Sequence, residues 1–242
     1  MKLRELFIRM THFIGGGCLM RKALQVSESL ELGILLAFSG GFMDAYSYIE
    51  RGKVFANAQT GNMLLLGIHI AEGHYQLALC YFFPVFAFAF GIALAELVRT
   101  KQSDVLHWRQ ISVFMEAIIL LIVSFFPNEY NLLANILTSL ACGIQVETFR
   151  KIHGQGIATT MCIGNLRSGT ENMYLYFQYG DLSYLKKGLL YYGIILCFVL
   201  GAVFSNACIK QFHTKAIIGC SLILLCVCLI MFYDREKKNN FS

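Results

Sequence analysis

Six apolar runs do most to limit what this chain can become: Leu30–Ile49, Tyr75–Val98, Ile111–Phe126, Leu132–Phe149, Leu189–Ile209 and Ala216–Phe232. Each meets or approaches the roughly 20 residues that a helix needs to cross about 30 Å of hydrocarbon. The chain as a whole is 57% hydrophobic and 14% charged, against about 45–50% and about 25% in soluble domains. It therefore reads as an integral membrane protein, with the lipid bilayer as its first partner. The net charge of +5 does not point to nucleic acid, because no basic stripe with interleaved aromatic residues accompanies it.

Two further stretches, Val54–Ala71 and Ile157–Tyr179, open with small and polar residues and become apolar only later. They belong to an internal repeat. A shift of 103 residues aligns GGFMDAYSYIERGKVFANAQTGNML (40–64) with GIQVETFRKIHGQGIATTMCIGNLR (143–167) without a gap. Gly40 then meets Gly143, Asp44 meets Glu147, and Gly61-Asn62 meets Gly164-Asn165. Identities are few, but the carboxylates and the Gly-Asn pairs keep their spacing.

Topology follows from where the cations fall, since Lys and Arg gather in cytoplasmic loops. If the two ambiguous stretches do not cross and the N-terminus is cytoplasmic, only Arg51, Lys53, Lys210 and Lys215 of the 20 Lys and Arg lie outside. If both cross, the split is nearly even and Arg167 is left in the membrane. The expected fold is all-α: a polytopic membrane helical bundle of about six spans plus two re-entrant or broken half-helices, in an inverted internal repeat. Residues 30–126 form the first repeat and 132–232 the second, with a basic cytoplasmic tail at 233–242. Residues 1–29 read as a cytoplasmic amphipathic segment, since Leu3, Leu6, Phe7, Met10, Phe13 and Ile14 recur at helical spacing before Gly15-Gly16-Gly17. No apolar core with a small-residue cleavage site follows Met1–Arg9, so a cleaved signal peptide is not expected.

Non-helical backbone at membrane depth is tolerated only inside protein or beside a watery cavity. Thr60 or Asn57 would cap the first half-helix, Gly61 would permit close backbone approach, and Asn62 supplies both donor and acceptor. Short interrupted segments at matching places in two inverted halves point to a midplane solute site. The expected lining is Asp44, Gln59, Thr60, Gly61, Asn62, Gln145, Glu147, Thr160, Gly164, Asn165 and Arg167, with Thr159 beside them. Asp44 and Glu147 would bind a coupling proton or cation, and Arg167 an anion. The plainer alternatives are a salt bridge from Glu147 to Arg150 or Lys151, snorkelling of Arg167, and interhelical hydrogen bonds from the amides and hydroxyls. Glu96 lies near Arg99 and reads as interfacial, whereas Glu116 could face the interior.

The quoted segments, with VFANAQTGNMLLLG and IATTMCIGNLRSG, resemble the YoaK-type family of bacterial membrane proteins, a group classed as a domain of unknown function. The resemblance runs from about residue 30 to 232 and implies a multi-pass inner-membrane protein with both termini cytoplasmic; it names no substrate. Ile163 stands where a Thr often sits, which would weaken a cap on the second half-helix.

The function expected is secondary transport of a small polar or anionic solute. A passive channel or facilitator, or a scaffold without transport activity, remains an alternative. No nucleophile motif or phosphate loop occurs, so neither an enzyme nor a cofactor is expected. His69, Glu72 and His74 offer metal-ligand types but read as surface residues without a fourth ligand. Most of the nine cysteines lie in apolar runs and act there as small hydrophobes. A homodimer is compatible with the sequence but not required by it.

Overall fold

The computed structural model describes residues 30–101, 105–149 and 159–239. The amphipathic segment expected over 1–29 lies outside them, as do Arg150 and Lys151. Eight α-helices are formed among the described residues: α1 Leu30–Glu50, α2 Gln59–Ala71, α3 Tyr75–Lys101, α4 Val105–Val123, α5 Asn131–Thr148, α6 Cys162–Tyr179, α7 Leu182–Phe212 and α8 Ile217–Asn239. Single 3-10 turns, Asn128–Tyr130 and His213–Ala216, lead into α5 and α8. The last helix continues to Asn239, past the boundary at 232 expected for the tail.

Three stretches, Leu30–Glu50, Tyr75–Lys101 and Leu182–Phe232, are long and apolar enough to cross a membrane by length and composition. The distribution of polarity is that of a membrane protein. Phe82, Phe86, Phe90, Leu196 and Leu200 face outward, while Asp44, Arg51, Glu116 and Gln145 are buried. α5 owes its polar composition to enclosure, since Asn135, Thr138, Ser139, Gln145 and Glu147 all lie on buried positions.

The helices pack in matched pairs. α1 packs on α7 as α5 packs on α3; α2 packs on α3 as α6 packs on α7; α1 packs on α8 as α5 packs on α4; and α4 packs on α8. Glycines set the two main crossings. A Cβ on Gly41 would overlap the carbonyl of Phe198, and one on Gly201 the carbonyl of Phe38. In the same way Gly91 lies on the carbonyl of Leu140, and Gly143 on that of Phe88. Each glycine thus meets the carbonyl three residues before the opposing glycine. Backbones this close are available only to residues without a side chain, and each Cα–H···O contact adds about 0.5–1 kcal/mol. α1 and α7 run in the same direction, since Phe204 lies against Phe38 and Phe42 and Tyr46 Oη donates to the Thr214 carbonyl at 2.7 Å.

The same contacts give a correspondence between the two halves of the chain that differs from the sequence alignment. They match Gly41, not Gly40, with Gly143, an offset of 102 in the first helix of each half. Asp44 therefore corresponds in packing to Val146, and Glu147 to Ala45. Downstream the offset returns to 103, because Gly40 lies against Thr160, 2.8 Å from where its Cβ would be, while Cys142 lies by Asn57. An ungapped alignment conceals one residue of slippage.

At the end of α1 the chain turns back through Gly52 (φ 87°) and Lys53 (φ 64°), conformations that glycine adopts without cost and other residues rarely do. Arg51, expected in an outer loop, is instead 1% exposed. Its guanidinium donates to Tyr46 Oη (2.8 Å), the Val123 carbonyl (3.0 Å) and Asn131 Oδ1 (3.2 Å), and its own carbonyl accepts from Asn135 Nδ2 (2.7 Å). This one side chain ties the end of α1 to the α4–α5 turn.

Substitution of Gly41 or Gly201 by Ile is expected to lower stability by about 1–3 kcal/mol or more through overpacking, whereas Gly67→Ala, with no atom within 4 Å of its Cβ, leaves it unchanged or raises it. Thermal unfolding in detergent measures both.

Candidate functional site

The segment 51–58 does not stay at the end of α1. It re-enters alongside α1, where Asp44 Oδ1 accepts hydrogen bonds from the backbone N–H of Asn57 (2.6 Å) and Ala58 (3.4 Å), and Asn57 Nδ2 donates to the Gly40 carbonyl (3.1 Å). Gly40 and Asp44 lie about 15 and 9 Å along the helix axis from Glu50, at 1.5 Å per residue. α2 therefore starts alongside the middle of α1 and returns toward the end it came from. With 13 residues it is about 20 Å long, too short to span.

The cap of α2 differs from expectation. Its N-cap is Ala58, with no side-chain cap of its own. Neither Thr60 nor Asn57 caps it; the carboxylate of Asp44, reaching from α1, takes the N–H groups at the helix entry. An ionised acceptor is favoured there by the partial positive charge of the helix start. The other polar residues brace the loop. Asn62 Oδ1 accepts from the Phe55 N–H (2.9 Å), Asn62 Nδ2 donates to the Phe55 carbonyl and to Gln59 Oε1 (both 2.8 Å), and Gln59 Nε2 donates to the Ala56 carbonyl (2.7 Å). Gly61 makes room for the Phe55 ring, 2.8 Å from where its Cβ would be.

α6 enters at the same level of α1, through Thr159 and Thr160 over Gly40. Its N-cap is Met161, and no side chain caps it. Here the register matters: the residue that corresponds to Asp44 is Val146, which cannot accept a hydrogen bond. Both half-helices end on a left-handed glycine turn, Gly73 (φ 76°) and Gly180 (φ 70°), leading into α3 and α7. Asp181 caps α7 by accepting from the Ser183 N–H at 2.8 Å, and this bond holds its carboxyl below its ordinary range.

The two half-helix starts meet at a cavity of about 1090 Å³. Asp44, Asn57, Gln59, Thr60 and Thr160 line it on the polar side; α3 supplies Val85, Phe88, Ala89 and Ile92, and α7 supplies Phe198, Val199, Ala202 and Val203. Apolar groups make up most of the wall. Asn57 Oδ1 and Thr160 Oγ1 are buried without a hydrogen-bond partner, one an acceptor and one a hydroxyl.

Of the residues expected at the site, Asp44, Gln59, Thr60 and Thr160 line this cavity. Gly61 and Asn62 stand behind the wall as loop braces. Gln145 lies between α5 and α1 and donates to the Leu36 carbonyl at 3.2 Å. Glu147 sits within electrostatic reach of Arg99, and Glu96 pairs with Arg99. Asn165 is buried, Gly164 is exposed, and Arg167 is exposed on α6; none of the three is among the lining residues. Glu116 does face the interior, 0% exposed, with neither carboxyl oxygen hydrogen-bonded. Sequence reasoning missed the apolar walls, because Phe88 and Phe198 are indistinguishable in sequence from residues that face lipid.

The family model described as "Protein of unknown function (DUF1275)" matches residues 32–230, which takes in every helix that builds the cavity. The chain belongs to this family. It is also similar to "UPF0700 transmembrane protein YoaK" of Bacillus subtilis (strain 168), at 27% identity over 177 residues, covering 70% of this chain and 79% of the relative. No solved structure matches the chain.

Asp44→Ala is expected to free the re-entrant loop. A hydrogen bond to a charged group contributes about 1.5–3 kcal/mol, so amide exchange at Asn57 and Ala58 should accelerate roughly 10- to 100-fold, with a smaller effect for Asp44→Asn. Exchange mass spectrometry on the detergent-solubilised protein reads this. Unchanged rates at both amides would mean that the carboxylate does not hold the loop.

Proposed function

We propose that this membrane protein is a secondary transporter of six spans and two re-entrant half-helices, in two inverted repeats that share a solute site near the bilayer midplane. The observation that carries the reading is the convergence of the α2 and α6 starts on one cavity, with α3 and α7 forming its two apolar walls. The matched helix pairs support the inverted repeat, since each of the main pairings maps onto itself or its counterpart when the halves are exchanged. Half-helices that meet at mid-depth are the usual device for holding a charged or polar group inside a membrane.

The cavity favours a particular solute. A small polar molecule would leave the walls from Phe88, Ile92, Phe198 and Val203 uncovered, so the solute has an apolar body and one polar head. The head belongs at the uncapped start of α6 beside Thr160, where free N–H groups and the helix dipole favour an acceptor or anion. Asp44, already engaged by the start of α2, is the group through which a proton or cation couples: loss of its charge weakens the bond that holds α2, so occupancy and loop position change together. Rocking of α3 against α7 would expose the cavity to each side in turn.

Octanoate, which has an apolar body and a carboxylate head, is a suitable probe in proteoliposomes and in binding assays. Ala202→Trp fills the cavity and is expected to weaken binding at least tenfold, and Thr160→Val severalfold, while Asp44→Asn removes the dependence of uptake on the ion gradient. Equal binding by the Ala202→Trp protein would place the solute elsewhere. Flux that ignores every ion gradient would mark a passive facilitator.

A further inference from the structure

The turn joining α2 to α3 brings together three metal-ligating side chains that lie within residues 69–74. His69 Nδ1 lies 3.4 Å from Glu72 Oε2, and His74 Nδ1 lies 3.3 Å from the same oxygen. The ligand atoms of the three residues are all within 4.8 Å of one another. We propose that His69, Glu72 and His74 form a binding site for a divalent transition-metal ion of the Zn²⁺ or Co²⁺ type, with its remaining coordination positions open to water.

Two of the three separations suit the metal. Bonds of about 2.0–2.1 Å to imidazole nitrogen and carboxylate oxygen, arranged tetrahedrally, place neighbouring ligand atoms roughly 3.3–3.4 Å apart. Both nitrogen–oxygen separations already have that length. They are long for hydrogen bonds, and His69 Nδ1 is buried with no hydrogen-bond partner, so the pairwise contacts do not satisfy the nitrogen that an ion would. The turn itself is preformed. Gly73 takes φ 76°, and the backbone N–H groups of Glu72, Gly73 and His74 donate to the carbonyls of Ile68, Ile70 and His69. The His69 ring is fixed by stacking on Tyr81 of α3, with centroids 5.5 Å apart and planes 15° apart. Glu72 and His74 are half-exposed or more, which leaves an entry path. Two imidazoles and one carboxylate form a borderline donor set that favours Zn²⁺, Co²⁺, Ni²⁺ or Cu²⁺ over the oxygen-seeking Ca²⁺ and Mg²⁺.

An ion at this place would fasten the end of half-helix α2 to the start of α3. The site stands whether or not the cavity carries a transported solute.

The test uses the full-length protein in detergent, purified without a histidine tag and titrated with Co²⁺. The expected result is one equivalent bound with visible d–d bands, no thiolate charge-transfer band in the near ultraviolet, and a rise in melting temperature with added Zn²⁺. Affinity should fall at least tenfold in His74→Ala and in Glu72→Gln. Both positions are exposed, so the helical circular dichroism should be unchanged. If the wild-type protein binds no Co²⁺, or if binding carries a thiolate band and is equal in both variants, the proposal is wrong.

Discussion

Much of this architecture depends on one carboxylate oxygen. Oδ1 of Asp44 accepts the Asn57 and Ala58 N–H groups and so holds a turn of chain deep beside α1, where unpaired backbone groups would each cost several kcal/mol in lipid. Without that acceptor, the start of α2 keeps only the Asn57 Nδ2 bond to the Gly40 carbonyl and the braces from Asn62 and Gln59. With it, the helix start, its dipole and the Asn57 side chain are delivered to one wall of the cavity. The carboxylate thus builds the site as well as lining it, and a change in its charge acts on the loop and the site together.

The frame around this point is set by close backbone contact. Gly41 with Gly201, and Gly91 with Gly143, bring α1 onto α7 and α3 onto α5 by the same device. The walls that face each other across the cavity, α3 and α7, are thereby each fastened to a different partner. The two half-helix entries are alike in placement but unlike in chemistry: a carboxylate meets α2, while the corresponding place opposite α6 holds Val146. One helix entry thus meets a carboxylate, and the other has no side-chain cap.

Much of the fold could be read in advance, since apolar runs separated by turn residues locate helices whatever their packing. The enclosure of Asn57, Gln59, Asn62 and Thr160 could be read too, because these side chains are costly in a lipid-facing helix. Their roles could not be read. Asn62 and Gln59 spend their hydrogen bonds on the backbone of Phe55 and Ala56 and on each other, and any carbonyl in the chain could have served. The burial of Arg51 was hidden for the same reason, as its acceptors are mainly a tyrosine hydroxyl, an asparagine and main-chain carbonyls. Register was misjudged by one residue because the glycines that set it differ from the glycines that align. His69, Glu72 and His74 were visible as residue types; only the folded turn through Gly73 shows that their ligand atoms converge.

The central claim is that both half-helices turn back at mid-depth, leaving six crossings. Its most direct test is the sidedness of the turn before α5 and of the start of α7. Single cysteines at Glu129 and at Lys186, in a cysteine-free background, are labelled in intact cells with a membrane-impermeant maleimide. The account predicts that the two positions face opposite sides, with Glu129 labelled and Lys186 protected until the cells are opened. Protection of both in intact cells would mean that α2 and α6 cross the membrane, and would contradict the account.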